Sequence, residues 1–450
     1  MGGGTLQLVI YGEQDLYIMG NPEYSFFKTV YRKHTNFSIE SIEQICNGNN
    51  SSDEITLEYT INKCGDLLYK SYLDIDFPKQ DLINKFGGNN YCTYSNNTAF
   101  AYIKNIELLI GEKLIDRQDG NWLDIMNELN HQNGGIDYLV NRQTSGVSNN
   151  LRPRNIKTYI PLDFWFCKHP SNALPIIALQ YHDVKLSFNF RSIKSILNSK
   201  TQNPDIEASI KNADPSSNHL SSPEKPNIRL WCDYIYLDKE ERIRFAQNNH
   251  EYLIEQVQKV SRSYAPTINI SLNHPVKCLY WIIQNNIANS SREDYFNIDP
   301  ERNTYGDIDA SNPSFNLWTN SNDYLNYRTH QVVNPSYLYS SNGIYEHFKK
   351  MTILFNGIER FAPREPTYFR TVQPYECKYT IPEKSIYIYS FCLDPNNINP
   401  TGSCNFSRID NVSFNFYGDQ EYTGYTFNLY ATNYNILRIM NGLGGLLYSS

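Results

Sequence analysis

Two stretches of this chain, one in each half, repeat a single pattern. Phe166-Cys167 is followed by a proline-bearing loop and then by Leu-Ser-Phe-Asn-Phe, which puts Leu186, Phe188 and Phe190 on one face of a strand. Phe391-Cys392 is followed by another proline-bearing loop and by Val-Ser-Phe-Asn-Phe, which puts Val412, Phe414 and Phe416 on the equivalent face. The spacing agrees to within one residue. A second correspondence lies upstream, LLIGEKLIDRQDGNWL beside LFNGIERFAPREPTYF. Each has an apolar strand, a glycine (Gly111 or Gly357), an arginine, and then Trp122-Leu123 or Tyr368-Phe369 at matching distance. Two repeats in the same order predict two copies of one unit. The length of 450 residues agrees, because single cores stop growing at roughly 250 to 300.

The unit reads as β structure. In ITLEYTI, Ile55, Leu57, Tyr59 and Ile61 share one face while Thr56, Glu58 and Thr60 take the other. Similar runs recur in YIKNIELLIG, KCLYWIIQN, SIYIYSFCL and VSFNFYG, separated by Asn, Gly, Pro and Asp clusters that make turns. The 36 Tyr and 22 Phe against 5 Met favour pleated, half-buried surfaces. Long connections, including the Asn- and Ser-rich stretch from about Asn285 to Asn334, fit a β-sandwich of jelly-roll type better than a propeller with its repeat of roughly 40 to 50 residues.

Two helices are expected. GNWLDIMNELNHQ places Trp122, Ile125, Met126 and Leu129 at helical spacing behind Asn121 as cap. DKEERIRFAQNNHEYLIEQVQ, starting at Asp238 with Phe245 on its buried side, reads as a connector, and the chain divides there into 25–240 and 241–450.

Composition excludes several functions. A net charge of −7 argues against wrapping nucleic acid directly, and the Arg32-Lys33-His34 triplet reads as a solvated turn. Nine scattered cysteines without a Cys-x-x-Cys pair match neither zinc spacing nor a disulfide framework. A hairpin bond between Cys392 and Cys404 is the weaker alternative to reduced thiols. No apolar run approaches the ~20 residues of a membrane helix, and the reading is a soluble chain made in the cytosol.

The chemistry of a jelly-roll enzyme is missing too. No His-x-His pair occurs, so His131, His169, His182 and His250 read as surface or hydrogen-bonded residues. Nucleophile elbow, zinc-protease and phosphate-loop motifs are absent from the sequence. Asp74 and Asp76 share a strand face about 7 Å apart, which invites a carboxylate pair, but they read as a solvent-facing strand edge. Asp307 and Asp309 lack the rest of a calcium loop. No cofactor, no metal and no enzymatic activity are expected.

The opening LQLVIYGEQDLYIMGNPEYSFFKTVYRKHTNFSIE strongly resembles the start of the major capsid proteins of nucleocytoplasmic large DNA viruses, a group including phycodnaviruses, iridoviruses, marseilleviruses and mimiviruses. The resemblance continues through LIDRQDGNWLDIMNEL, YIPLDFWFCKHPSNALPIIALQYHDVKLSF, CDYIYLDKEERIRFAQNNHEYLIEQVQ and FNGIERFAPREPTYFRTVQPYE, and ends with YATNYNILRIMNGLGGLLYSS.

It implies an all-β double jelly roll: two eight-stranded sandwiches side by side, with a few short helices and long surface loops. Three chains would form a pseudo-hexagonal capsomer, and capsomers would tile an icosahedral virion shell built in the host cytoplasm. Residues 1–24 would be an inner arm against neighbouring chains, minor capsid and penton proteins or the inner viral membrane. Gly2, Gly3, Gly4, Leu6, Val9 and Leu16 would serve that arm, and Gly442, Leu443, Gly444, Gly445 and Leu446 a matching tail, glycine allowing close approach and the aliphatics anchoring. A minor capsid paralogue and a jelly-roll glycan-binding protein stay open as alternatives.

Overall fold

The computed structural model describes residues 21–23, 25–29, 31–47, 54–78, 91–94, 98–130, 155–200, 224–285, 348–382, 385–418 and 425–448. Gly2, Gly3, Gly4, Leu6, Val9, Leu16, His131, Asp307 and Asp309 lie outside them. The chain divides into two compact units, Met1–Phe37 and Ser38–Ser450. In the first, Phe26, Phe27 and Tyr31 are exposed and the His34 ring lies 6.0 Å from that of Phe37.

The first half of the fold carries β1 (Phe37–Gln44), β2 (Cys46–Asn47), β3 (Thr56–Thr60), β4 (Leu67–Phe77), β5 (Tyr91–Tyr94), β6 (Ile103–Ile110), β7 (Lys113–Gln118), β8 (Ile156–Pro161), β9 (Leu174–Pro175), β10 (Val184–Phe190), β11 (Leu197–Lys200) and β12 (Asn227–Leu237). The second carries β13 (His250–Ser263), β14 (Thr267–Ile270), β15 (Pro275–Asn285), β16 (Lys350–Phe355), β17 (Ile358–Glu359), β18 (Tyr387–Ser390), β19 (Cys404–Asn405), β20 (Val412–Tyr417), β21 (Tyr425–Met440) and β22 (Leu443–Leu446). The helices are α1 (Thr98–Tyr102), α2 (Gly120–Leu129), α3 (Trp165–Lys168), α4 (Lys239–Gln247) and α5 (Gln373–Glu376). Among the described residues no helix is long and apolar enough to cross a membrane.

One sheet of the first half runs β1-β12-β4-β8 and the other β3-β10-β6-β7, with β2 and β9 as short additions and β5 pairing β11 apart. In the second half the sheets run β13-β21-β15-β18 and β14-β20-β16-β17, with β19 and β22 added. Numbering the eight principal strands of each half in chain order, both halves read 1-8-3-6 facing 2-7-4-5. This is the jelly roll, present twice: the fold is a double jelly roll.

The repeated strands occupy equivalent central places. On β10, Leu186, Phe188 and Phe190 are buried, and Phe188 lies between Leu57 of β3 and Ile106 of β6. On β20, Val412, Phe414 and Phe416 are buried, and Phe414 lies between Ile268 of β14 and Ile353 of β16. Alternation along each strand gives one face to the core, as a two-residue period requires. The turns that follow β6 and β16 also match. Gly111-Glu112 have φ of 55° and 67°, and Asn356-Gly357 have 49° and 82°, the paired left-handed conformation of a tight hairpin.

Three local expectations change. The cap of α2 is Asp119, whose side chain accepts from Trp122 N at 2.8 Å, and Asn121 lies inside the helix. The connector is helical only over α4, capped by Asp238 as expected, with Phe245 half-buried and stacked on His250 at 5.3 Å. From His250 the chain is the long strand β13, because fourteen consecutive residues find partners on β21. Asp74 is no strand edge either: β4 is paired on both sides, and Asp74 is buried against Arg229 at 2.8 Å and Lys157 at 3.7 Å. Cys392 and Cys404 are both free thiols.

Candidate assembly site

The rolls meet along a seam. From the first roll come β7, α2 and the loop after β8; from the second come β13 and the outer face of the sheet containing β15 and β21. All ten residues of α2 are buried. Its Trp122 packs edge-on to Tyr280 of β15 at 5.3 Å and tilted to Tyr430 of β21 at 5.8 Å. Tyr280, Ile282 and Tyr430 thereby join the hydrophobic cluster of the first roll, while Trp281, Ile283 and Leu429 on the opposite face serve the second.

Polar groups fix the register of this contact. Asp116 of β7 accepts from Val257 N of β13 at 2.9 Å, and Gln256 Nε2 donates to the Ile115 carbonyl. Asp119 Oδ2 accepts from Lys259 Nζ at 2.6 Å and from the Tyr430 hydroxyl at 2.9 Å. Asn121 Nδ2 donates to Gln284 Oε1 at 3.2 Å, Thr380 N to the Leu129 carbonyl at 2.7 Å, and Asn396 Nδ2 to Asn130 Oδ1 at 3.1 Å.

An ion-pair group closes the end of the seam. Glu255 of β13 pairs with Lys168 of α3 at 3.0 Å and with the buried Lys277, whose Nζ also donates to the Pro395 carbonyl at 2.6 Å. Burial by itself raises the Glu255 pKa, but the two ammonium groups outweigh it and hold the carboxyl down at about 2. Asp116 is pushed by burial up to about 6 despite bonds from Val257 and Gln118. A cleft of 280 Å³ opens beside this group, lined by Trp165, Lys168, Asn172, Leu253, Asn396 and Ile398 among others.

The carboxyl end ties the rolls together a second time. Asn441-Gly442, with φ of 51° and 79°, turns β21 back into β22. Gly442 O accepts from Tyr181 N at 3.1 Å, and the Gly444 amide lies 3.2 Å from His182 Nδ1. A Cβ on Gly444 would stand 2.7 Å from Leu179 and 3.0 Å from Ile110. Leu446 packs partly buried on the first roll's cluster, Leu443 is half-exposed, and Gly445 has open space beside it. Gly442 and Gly444 thus make their close approach within the chain itself.

Other apolar side chains are left uncovered. Ile39 and Ile45 by β1, Val372 and Tyr375 around α5, and Leu393 after β18 are all exposed. Among the described residues no group of His, Cys, Asp or Glu could hold a metal ion. Sequence reasoning did not single out the seam, whose polar half comes from residues that look solvent-facing; the signal available was Trp122 on a wholly buried helix.

Two jelly rolls locked by an internal seam define a double jelly-roll protein. Residues 25–238 match the family described as major capsid protein N-terminus, and residues 241–445 match large eukaryotic DNA virus major capsid protein. The major capsid protein of Pyramimonas orientalis virus is 35% identical, and that of Paramecium bursaria Chlorella virus 1 is 34% identical, each over 100% of both chains. A quasi-atomic structure of the PBCV-1 virus capsid superposes with a TM-score of 0.71 at 31% identity, covering 95% of this chain and 100% of that one. The chain belongs to the major capsid protein family of large eukaryotic DNA viruses.

Proposed function

We propose that three copies of the chain close into a pseudo-hexagonal capsomer, and that capsomers tile the icosahedral shell of a large double-stranded DNA virus in the host cytoplasm. Residues 25–240 and 241–450 are the two rolls and residues 1–24 an arm. The duplicated 1-8-3-6 and 2-7-4-5 topology carries this reading, because three chains then supply six equivalent rolls. Its activity is assembly, without a catalysed reaction.

The arm, through Gly2, Gly3, Gly4, Leu6, Val9 and Leu16, meets neighbouring chains, minor capsid and penton proteins, or the inner viral membrane. The tail residues Gly442 to Leu446 add the exposed side of Leu443 to such contacts. A stable trimer of this kind buries a few thousand Å² in order of magnitude.

The test is the native mass of the purified chain by light scattering, with electron microscopy of the same peak. A particle of three chains with a hexagonal outline is expected. A chain that stays monomeric from dilute to concentrated solution overturns the reading.

A further inference from the structure

The cleft at the end of the seam carries hydrogen-bonding groups that the contact between the rolls leaves unused. Its walls come from both rolls: α2 and the loop after β8 on one side, β13, β21 and the loop after β18 on the other. Ligand clefts concentrate at such junctions. At 280 Å³ it lies at the lower end of the roughly 300–1,000 Å³ spanned by small-molecule sites, which suits a single ring-sized molecule. The most telling group on the wall is Trp165. It is 2% exposed, its ring meets Phe166 edge-on at 5.2 Å, and its Nε1 is buried without a hydrogen-bond partner among the described residues. A buried indole N–H is normally paired, so one left unpaired in the wall of a cleft calls for an acceptor atom from outside the chain.

Charge narrows the choice of ligand. The ionised groups on the wall are Asp163, Glu255 and Lys168, and they already answer one another: Lys168 lies 3.8 Å from Asp163 and 3.0 Å from Glu255, with the buried Lys277 also on Glu255. An entering anion meets carboxylates, and an entering cation meets an ammonium group. A neutral molecule leaves these pairs intact. The rest of the polar wall is carboxamide, from Asn130, Asn172, Asn396 and Asn397, and an amide donates and accepts at once. Asn396 Nδ2 donates to Asn130 Oδ1 at 3.1 Å, which leaves the other polar atom of each amide available among the described residues. Leu253, Ile398 and the ring of Tyr434 supply apolar surface beside them.

We infer that this cleft binds a neutral monosaccharide ring, one hydroxyl oxygen of which accepts from Trp165 Nε1 while its other hydroxyls exchange hydrogen bonds with the asparagine amides. Hydroxyls both donate and accept, as these walls require, and the C–H face of a sugar ring suits the apolar strip of Leu253, Ile398 and Tyr434. Because the walls belong to both rolls, the bound ring bridges them and adds to the contacts of the seam. The site lies within one chain, so it stands apart from the trimeric reading.

Saturation-transfer difference NMR on the full chain tests this, with circular dichroism as the check on folding. The probes are the methyl glycosides of glucose, galactose, mannose, N-acetylglucosamine, fucose, rhamnose and xylose, each titrated to about 50 mM, since a ligand of this size binds at roughly millimolar Kd. At least one is expected to bind. Trp165→Phe keeps a ring and removes the N–H, and is expected to weaken that binding at least ~10-fold. Asn172→Leu alters a half-buried surface residue, so it keeps the fold should the tryptophan variant lose it, and is expected to weaken binding as well. A trisaccharide ending in the best-bound sugar separates the sources: binding as tight as that of the glycoside assigns the end of a glycan chain, and loss of binding assigns a free sugar. A parent chain that binds none of the glycosides, or binds acetate or tetramethylammonium in their place, rejects the neutral sugar. Binding unchanged in the folded variants rejects the cleft as the site.

Discussion

Asp119 and Tyr430, 311 positions apart, meet across the seam through a 2.9 Å hydrogen bond, while the other oxygen of the same carboxylate caps α2 at Trp122 N. One side chain therefore starts the helix and fastens it to the second roll. Asp119→Asn keeps an oxygen for the cap but gives up the charge facing Lys259. Asp119→Ala loses both, and is expected to be less stable than the Asn variant by about 1 kcal/mol, the usual worth of a cap. Urea unfolding of the two variants side by side measures the difference; equal midpoints would remove the cap from the account.

Phe188 and Phe414 fill corresponding places at the centres of the two rolls, both 0% exposed. Truncating either to Ala is expected to cost roughly 3 to 5 kcal/mol, as removal of a large core side chain does. A measured loss below about 1 kcal/mol for either would place that ring outside the packed core.

Gly444 and Gly445 are neighbours with opposite surroundings. Gly444→Ala forces a methyl against Leu179 and Ile110 and is expected to cost about 1 to 3 kcal/mol. Gly445→Ala meets nothing within 4 Å and is expected to be nearly neutral. Thermal unfolding of the pair decides it, and the prediction fails if the two variants melt together.

Asp116 and Glu255 give the seam opposite responses to pH. Asp116 has an ordinary value of 3.8 and is held at about 6, so across that window the folded chain keeps a proton the unfolded chain has lost. Stability from this group falls as pH rises through the window, by about 3 kcal/mol, and Asp116→Asn is expected to flatten that decline. Glu255, held at about 2 against an ordinary 4.5, contributes fully above 4.5 and loses its contribution as pH falls towards 2. Glu255→Gln is expected to remove that acid limb. Urea midpoints taken at closely spaced pH values check both, and variant profiles that run parallel to the parent refute the assignments.

The repeat, the strand faces and the division of labour between β10 and β20 were legible because they depend on local alternation, which the residues themselves display. Asp119 was passed over for Asn121 because both residue types cap helices and only the backbone tells which one stands before the first turn. The helical reading of HEYLIEQVQ failed for a different reason: its polar outer face suits a solvated helix, and its pairing lies with β21, far along the chain. Asp74 looked like an edge because Arg229, which holds it, is 155 positions away. The seam was least legible of all, since Asp116, Gln256 and Lys259 resemble solvent-facing residues until another sheet covers them.

The internal seam also changes the arithmetic of building a ring. Six separate rolls would have to find one another through encounters that each forfeit translational and rotational freedom. Joined in pairs through the connector around α4, every chain arrives with one contact already made at the high effective concentration that a covalent link confers. Three of the six contacts in the proposed ring of six rolls are thus completed during folding, at a rate that does not depend on protein concentration.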